Sequence, residues 1–321
     1  MHRFFPGLRF LRNVCAAGFA LATASIACAD AIIVRDAAGR SVSIADSSRI
    51  VSIGGAVTEI LYALGLEDRV VAVDTTSLFP PQALKTKPNV GYLRQLSPEG
   101  VLGLNPSLVL AAEGAGPKEA VGVLETASVP YVRVPDRFTG EGIVEKIRLI
   151  SAATGTNRRG DCLAASVSAD LDALVKLRAA IKQPVTVVFI LSMTGGRAMV
   201  AGHNTAADGI IKLAGARNAI TEFEGYKIVN EEAIVAARPQ AVLAMEREGF
   251  KLDADEVLAG PGFSLTPAAA KKAFVSMEGQ YLLGFGPRTA RAARDLAHAL
   301  DPGAGAGLPS DTSGSAPACA G

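Results

Sequence analysis

Short apolar runs alternate with segments of helical spacing along most of the chain. Runs typical of buried strands lie at 49–53, 70–73, 107–111, 131–134, 185–191, 241–245 and 281–283. Segments with helical spacing lie at 58–65, 118–127, 205–214, 231–237 and 288–300. An alternating pair at 32–36 and 41–44 around Gly39 predicts a small hairpin. Strand–helix alternation predicts an α/β protein whose parallel sheets are covered by helices.

The middle of the chain has a different pattern. Between 140 and 181 apolar residues recur at helical spacing with few breakers, which predicts two consecutive helices or one long interrupted helix. The pattern therefore predicts an N-terminal lobe over 30–139, a helical spine over 140–182 and a C-terminal lobe over 183–301. Residues 302–321 are mostly small and are predicted to be a disordered tail.

The first 29 residues have the composition of a secretory signal. Three arginines precede an alanine-rich apolar run from 14 to 26, and the small triplet Ala27-Cys28-Ala29 follows. We expect export to the periplasm with cleavage after Ala29. Lipidation of Cys28 is the alternative, although no leucine stands three residues before it.

Charge and residue counts exclude several classes of partner and site. The chain has 32 basic and 31 acidic residues, and loss of three signal arginines leaves 29 basic residues against the same 31 acids. This balance argues against nucleic acid as a partner. Only His203 and His298 lie beyond the signal, so a zinc site of three histidines is excluded. Cys162 and Cys319 also remain, and with Cys319 in the predicted tail we expect no disulfide framework.

A tyrosine and an arginine lie close together in a predicted loop. The segment reads VGYLRQLSPEG, with Tyr92 after a glycine, Arg94 two residues later, and Ser97-Pro98 marking a helix start. A phenolate is a hard anionic ligand that suits ferric iron, and tyrosine is a known haem ligand. A cation beside a phenol favours its ionised form. The pair therefore indicates an iron or haem ligand with a supporting cation.

Five segments in order resemble the haemin-binding periplasmic proteins of haem ABC importers. They read VGYLRQLSPEGVLGLNPSLVLA, AGHNTAADGIIKLAGARNAI, GYKIVNEEAIVAARPQAVLAM, PGFSLTPAA and LLGFGPRTARAARDLA, within about 49–300. The resemblance implies an α/β, two-lobed periplasmic binding protein fold of class III type, with a helical spine between the lobes. It implies haem as the transported ligand, bound between the lobes and delivered to an inner-membrane ABC permease dimer. An outer-membrane haem receptor would act upstream.

The resemblance also implies roles for single residues. Tyr92 would ligate the iron, and Arg94 would hydrogen-bond the phenolate or meet a propionate, with Lys85 or Lys87 as further cations at the rim. Arg247 would reach across the cleft, although Glu246 stands where a threonine is common. The further candidates for the second lobe are Tyr226, His203 and Met193.

Two glutamates match docking positions in this resemblance. Glu59 and Glu232, with Glu231 as its alternative, would lie on outer helix faces, one in each lobe, and pair with permease arginines.

Two other classes of function remain to be compared with haem delivery. The alternative cargo is another iron chelate, a siderophore, or a corrinoid, although the chain has no Trp to form aromatic walls. An enzyme is not expected, because GxSxG, HExxH, P-loop and strand-linked GxGxxG motifs are all missing from the sequence.

Overall fold

The computed structural model describes residues 1–2, 31–303 and 319 of the chain. Residues 31–321 belong to one compact unit, which contains all of the elements below. Most of the predicted signal, residues 3–29, and most of the predicted tail, residues 304–318 and 320–321, lie outside the described residues, so both remain predictions.

The N-terminal lobe is built on a four-stranded parallel sheet in the order β4-β3-β5-β6, with a separate hairpin of β1 and β2. Its strands are β1 Ile32–Arg35, β2 Ser41–Ile44, β3 Ile50–Ile53, β4 Val70–Val73, β5 Leu108–Ala112 and β6 Tyr131–Val134. Its helices are α1 Gly55–Ala63, α2 Gln82–Thr86, α3 Pro98–Leu102 and α4 Lys118–Thr126. Strands β3 and β5 are buried along their whole length, as the continuous apolar runs require in a sheet covered on both faces.

Two helices follow the last strand of this lobe. They are α5 Gly140–Ala153 and α6 Asn157–Ala180, which pack against each other. Helix α6 has 24 residues and is therefore about 36 Å long. The prediction of two consecutive helices is confirmed. Across the described part of the chain, no helix combines the length and apolar character needed to cross a bilayer.

The C-terminal lobe is built on a six-stranded mixed sheet. Its main order is β10-β8-β7-β11-β12, with β9 paired to β7, and β7, β11 and β12 are parallel neighbours. Its strands are β7 Thr186–Thr194, β8 Arg197–Ala201, β9 Arg217–Asn218, β10 Tyr226–Ile228, β11 Ala241–Glu246 and β12 Phe274–Glu278. Its helices are α7 Ala206–Leu213, α8 Glu231–Ala237, α9 Ala254–Ala259, α10 Pro267–Lys271, α11 Gly279–Leu283 and α12 Thr289–Leu300. The last helix packs back against α6 and α7.

The predicted strand at 281–283 is wrong. The last strand is β12, and the chain then turns directly into α11, because the Glu278 carboxylate accepts hydrogen bonds from the backbone N–H groups of Gln280 and Tyr281 at 2.8 and 2.7 Å. Such a bond satisfies the free donors at a helix start. A run of three apolar residues is too short to separate a strand from one buried helical turn.

The expectation of no disulfide is also wrong. Cys162, near the start of α6, is bonded to Cys319 across a sequence separation of 157 residues, with the two Cα atoms 5.8 Å apart. Cys319 lies in a segment of mostly small residues, and that composition does not show where its side chain lies in space. An extracytoplasmic compartment is one in which such a bond persists.

Candidate functional site

The carboxyl ends of parallel strands from the two sheets meet at one junction. Gln280, two residues beyond β12, is buried and donates its side-chain amide to the Gly55 carbonyl, two residues beyond β3, at 3.0 Å. Its side-chain oxygen accepts the Phe79 N–H, in the segment after β4, at 2.8 Å. The loops that follow the strands of both lobes therefore border one junction, the position where open α/β sheets bind ligands.

Glu59 lies inside this junction and not on an outer helix face. Its side chain is buried in α1 at 5% exposure. It accepts three hydrogen bonds from Arg288, at the start of α12: from the backbone N–H, Nε and Nη2, each at 3.1 Å. Burial raises the pKa of the Glu59 carboxyl, and the nearby charge of Arg288 opposes that rise. The predicted accessible position of Glu59 is therefore wrong.

Tyr92 is placed at the carboxyl edge of the N-terminal sheet by its neighbours. The Val90 N–H donates to the Val73 carbonyl at 2.9 Å, and the Thr75 N–H donates to the Gly91 carbonyl at 2.9 Å, so the segment lies along the end of β4. Gly91 has a φ of 91°, which favours glycine over other residues. The Tyr92 side chain is 41% exposed. A fixed main chain therefore presents an accessible phenol.

Arg94 interacts electrostatically with the opposite lobe. Its side chain is exposed, while the flanking main chain is held by bonds from Gly116 N–H to the Leu93 carbonyl and from Leu96 N–H to the Gly116 carbonyl, each at 2.9 Å. Burial raises the pKa of Tyr226, a half-buried residue of β10, and the charge of Arg94 acts to lower that pKa. The charge of Arg94 therefore acts on a tyrosine of the other lobe.

The other two residues predicted to contact haem are held in local structure. His203 is exposed between β8 and α7, with its N–H bonded to the Phe223 carbonyl at 2.9 Å. Arg247 is exposed just after β11 in a tight turn, where its guanidinium lies 5.4 Å from the ring centre of Phe250. The contacts described for both residues lie within the C-terminal lobe. Lys85 is exposed and Lys87 is half-buried, at the end of α2.

Glu232 is exposed in the first turn of α8, behind the cap residue Asn230. The N-terminal lobe repeats this arrangement with Glu99, which is exposed in the first turn of α3 behind the cap residue Ser97. Each acid is the second residue of its helix. Each helix is followed by a non-glycine residue with positive φ, 49° at Asn105 and 45° at Arg238, then by a proline and a buried strand.

Sequence reasoning missed Glu99, and the signal that could have found it was present. Aligning SPEGVLGLNPSLVL with NEEAIVAARPQAVL places Glu99 opposite Glu232 without a gap. The two segments form an internal repeat, one copy in each lobe. No comparable match places Glu59 opposite Glu232.

Two cavities lie outside the segment of Tyr92 and Arg94. A trough of about 1440 Å³ is lined by α5, α6 and parts of β1 and α7, and none of the residues predicted to bind haem lines it. A groove of about 720 Å³ runs along α8, where Ile228, Ala233 and Ala236 form part of its wall. In the described residues, no group of three or more His, Cys, Asp or Glu side chains is arranged to hold a metal ion.

Comparison with known proteins gives the family. A family model described as periplasmic binding protein matches residues 50–281. The chain belongs to the periplasmic binding protein family. The match includes both sheets and the helices between them, and the two-lobed α/β fold of this family agrees with the predicted fold class.

Individual members of the periplasmic binding protein family differ in cargo. The solved structure of periplasmic heme-binding protein BhuT in complex with two hemes is 40% identical, with a TM-score of 0.75, over 79% of this chain and 98% of that one. An uncharacterized ABC transporter substrate-binding lipoprotein, YvrC of Bacillus subtilis, is 28% identical over 84% of this chain and 86% of its own length. A vitamin B12-binding protein of Vibrio campbellii is 28% identical over 62% of this chain and 70% of its own.

Proposed function

We propose that this protein binds ferric haem between its lobes in the periplasm and delivers it to an ABC permease of the inner membrane. The observation that carries the proposal is Tyr92, an accessible phenol fixed at the junction of the two sheets, with Arg94 two residues away. The similarity to BhuT, whose structure contains two hemes, supports the same ligand here.

The chemistry of this pair suits ferric haem. A phenolate is a hard anion, and binding to Fe³⁺ compensates for loss of the phenol proton. Arg94 adds a cation that favours the anionic form and can pair with a propionate. Lys85 and Lys87 supply further cations for propionates from the same lobe. The protein needs only to bind and release its ligand, so we infer no catalytic turnover.

The second lobe has weaker candidates for the iron. Tyr226 is half-buried with a raised pKa, which disfavours its phenolate. His203 and Arg247 are exposed in loops after β8 and β11 and could approach the haem if the lobes close on it. We therefore infer that Tyr92 is the principal iron ligand.

We further propose that Glu99 and Glu232 dock the permease. Both carboxylates are exposed at the same position of equivalent helices, one in each lobe, which fits a partner with two related halves. Paired arginines on the permease would fix orientation through charge-assisted bonds. Glu231, beside Glu232, is the alternative acid in the second lobe. Export would use residues 1–29, and an outer-membrane receptor would supply the haem.

A corrinoid is the second candidate ligand, because a vitamin B12-binding protein is among the relatives. A titration with ferric haem and, separately, with cyanocobalamin tests the two proposals directly. We expect saturable haem binding with a tyrosinate-type visible spectrum and no binding of cobalamin by equilibrium dialysis. Binding of cobalamin without haem would overturn the proposed ligand. The haem titration also gives the stoichiometry.

A further inference from the structure

The groove along α8 adjoins the helix face that carries Glu232. Ala233 and Ala236 of α8 line this groove, as does Ile228 at the end of β10. Ala236 lies four residues beyond Glu232, and residues at that spacing are neighbours on one face of a helix. Glu231 precedes Ala233 by two positions, about 200° around the helix, so it lies on the other side. Of the two acids, Glu232 is therefore the one beside the groove.

Exposed apolar side chains also gather around α8. In the C-terminal lobe, which the structure describes throughout, two large hydrophobic side chains are exposed: Ile228 at 46% and Leu265 at 75%. Ile228 lies three residues before α8, and Leu265 ends a 3₁₀ turn, Phe263–Leu265, that packs against α8. Apolar surface gathered around one element is typical of an interaction site.

The groove has a fixed shape and no net charge. Three of its lining residues, Ile220, Phe223 and Val229, belong to the same packed cluster as the buried side chain of Ile234 in α8. The charged residues in the lining are one arginine, Arg197, and one glutamate, Glu222, and both are exposed. A preformed apolar groove with balanced charge suits a neutral aliphatic side chain better than an anionic ligand.

We propose that the groove receives an aliphatic side chain of the permease, carried by the same segment whose arginine meets Glu232. This inference rests on the proposed function, which makes the permease the partner of Glu232. A segment that reaches Glu232 also lies over Ala236, one turn further along the same face, and so borders the groove. The apolar contact then adds affinity, while the charged pair fixes orientation.

The test is a double variant, Ile228→Thr with Ala236→Gln. Threonine keeps the branched Cβ that suits a strand, and glutamine is a good helix former. Binding of the haem-loaded protein to the haem ABC permease of the same organism, held in nanodiscs, is measured by surface plasmon resonance. We expect about tenfold weaker binding to the permease and an unchanged haem titration. The tenfold difference should persist at about 0.5 M salt, which screens the contact of Glu232.

The matched control is Val175→Thr in α6. Val175 is 52% exposed and lies outside the groove, so this variant should bind the permease as wild type does. If the double variant does not fold, judged by thermal unfolding, its two single variants decide in the same assay.

Three results would overturn the proposal. Equal affinity of wild type and double variant for the permease would show that the groove stays empty on docking. Weaker haem binding with an unchanged permease affinity would assign the groove to haem. A wild-type dimer that the double variant lacks, seen by analytical ultracentrifugation, would assign it to a second copy of the chain. Failure of the proposed function is distinct, because wild-type protein would then not bind the permease at all.

Discussion

The two lobes share the design of their outer helices but differ at the edges that face each other. Outside, a capped helix with an exposed acid precedes a proline and a buried strand in both lobes, at Glu99 and at Glu232. At the junction, the N-terminal lobe presents the phenol of Tyr92 and the guanidinium of Arg94, whereas the C-terminal lobe contributes Gln280 and Arg288, which bond to Gly55 and Glu59 of the other lobe. In the proposed function, the permease would recognise the shared features and haem would be bound by the unshared ones.

The largest expected effect is loss of the proposed iron ligand, Tyr92. Tyr92→Phe should speed haem dissociation by more than ~100-fold, because even the indirect supports of a metal ligand typically contribute 10- to 100-fold. The ligand-to-metal charge-transfer band should disappear from the visible spectrum. Stopped-flow transfer of haem to an excess of an acceptor protein measures the rate.

Tyr226→Phe is the matched control in the other lobe. It removes one hydroxyl from a half-buried ring, so the spectrum and the dissociation rate should stay near wild type. If Tyr226→Phe released haem faster than Tyr92→Phe, the iron ligand would lie in the C-terminal lobe, and the proposed difference between the lobes would be wrong.

Reversing both exposed acids should stop transport without weakening haem binding. The double variant with Glu99→Lys and Glu232→Lys places lysines opposite the permease arginines. Like charges placed together at an interface cost several kcal/mol of binding free energy. Haem uptake into vesicles carrying the reconstituted permease should fall to background, while the haem titration stays unchanged. Glu67→Lys, an exposed acid outside the repeat, serves as the control. Normal uptake by the double variant would assign docking to other surfaces.

Removing Glu59 should destabilise the fold, unlike removal of the exposed acid Glu232. Glu59→Ala leaves Arg288 without its partner inside the junction, and we expect a loss of roughly 1–3 kcal/mol in the free energy of unfolding. Glu232→Ala should change it by less than about 0.5 kcal/mol. Urea denaturation of both variants makes the comparison. Equal stability would mean that the contact of Glu59 with Arg288 adds nothing.

The pH dependence of Glu59 has a definite sign. Its pKa in the folded protein is raised above the ordinary value of 4.5, so above that value the folded state holds a proton that the unfolded state has released. The contribution of Glu59 to the free energy of unfolding therefore decreases as pH rises through the folded pKa. Glu59→Gln has no carboxyl to titrate, so the unfolding free energy of wild type relative to this variant should decrease as pH rises above 4.5.

A further effect on stability concerns the disulfide. The bond closes 157 residues and so restricts the unfolded chain, and removal of a native disulfide typically costs about 2–5 kcal/mol. Cys162→Ser with Cys319→Ser should therefore lower the free energy of unfolding by up to about 5 kcal/mol. Haem binding should not change. A loss much above this value would indicate that the cross-link also supports the packing of α6.

Sequence reasoning succeeded where a pattern was long and failed where a role depended on spatial neighbours. The helix at 231–237 and the cap at Ser97 follow from local chemistry, and the structure confirms both. The burial of Glu59 depends on Arg288, 229 residues later, which no local pattern reveals. The bond between Cys162 and Cys319 is equally non-local.

The bond between Cys162 and Cys319 makes the C-terminal half of the protein a covalent ring. A protease that cuts the chain once between these residues opens the ring but releases no fragment. Such a nicked molecule keeps its full mass on a denaturing gel until a reductant is added, and only then separates into two pieces. A single cut between Cys162 and Cys319 is therefore not detected by a measurement of mass under oxidising conditions.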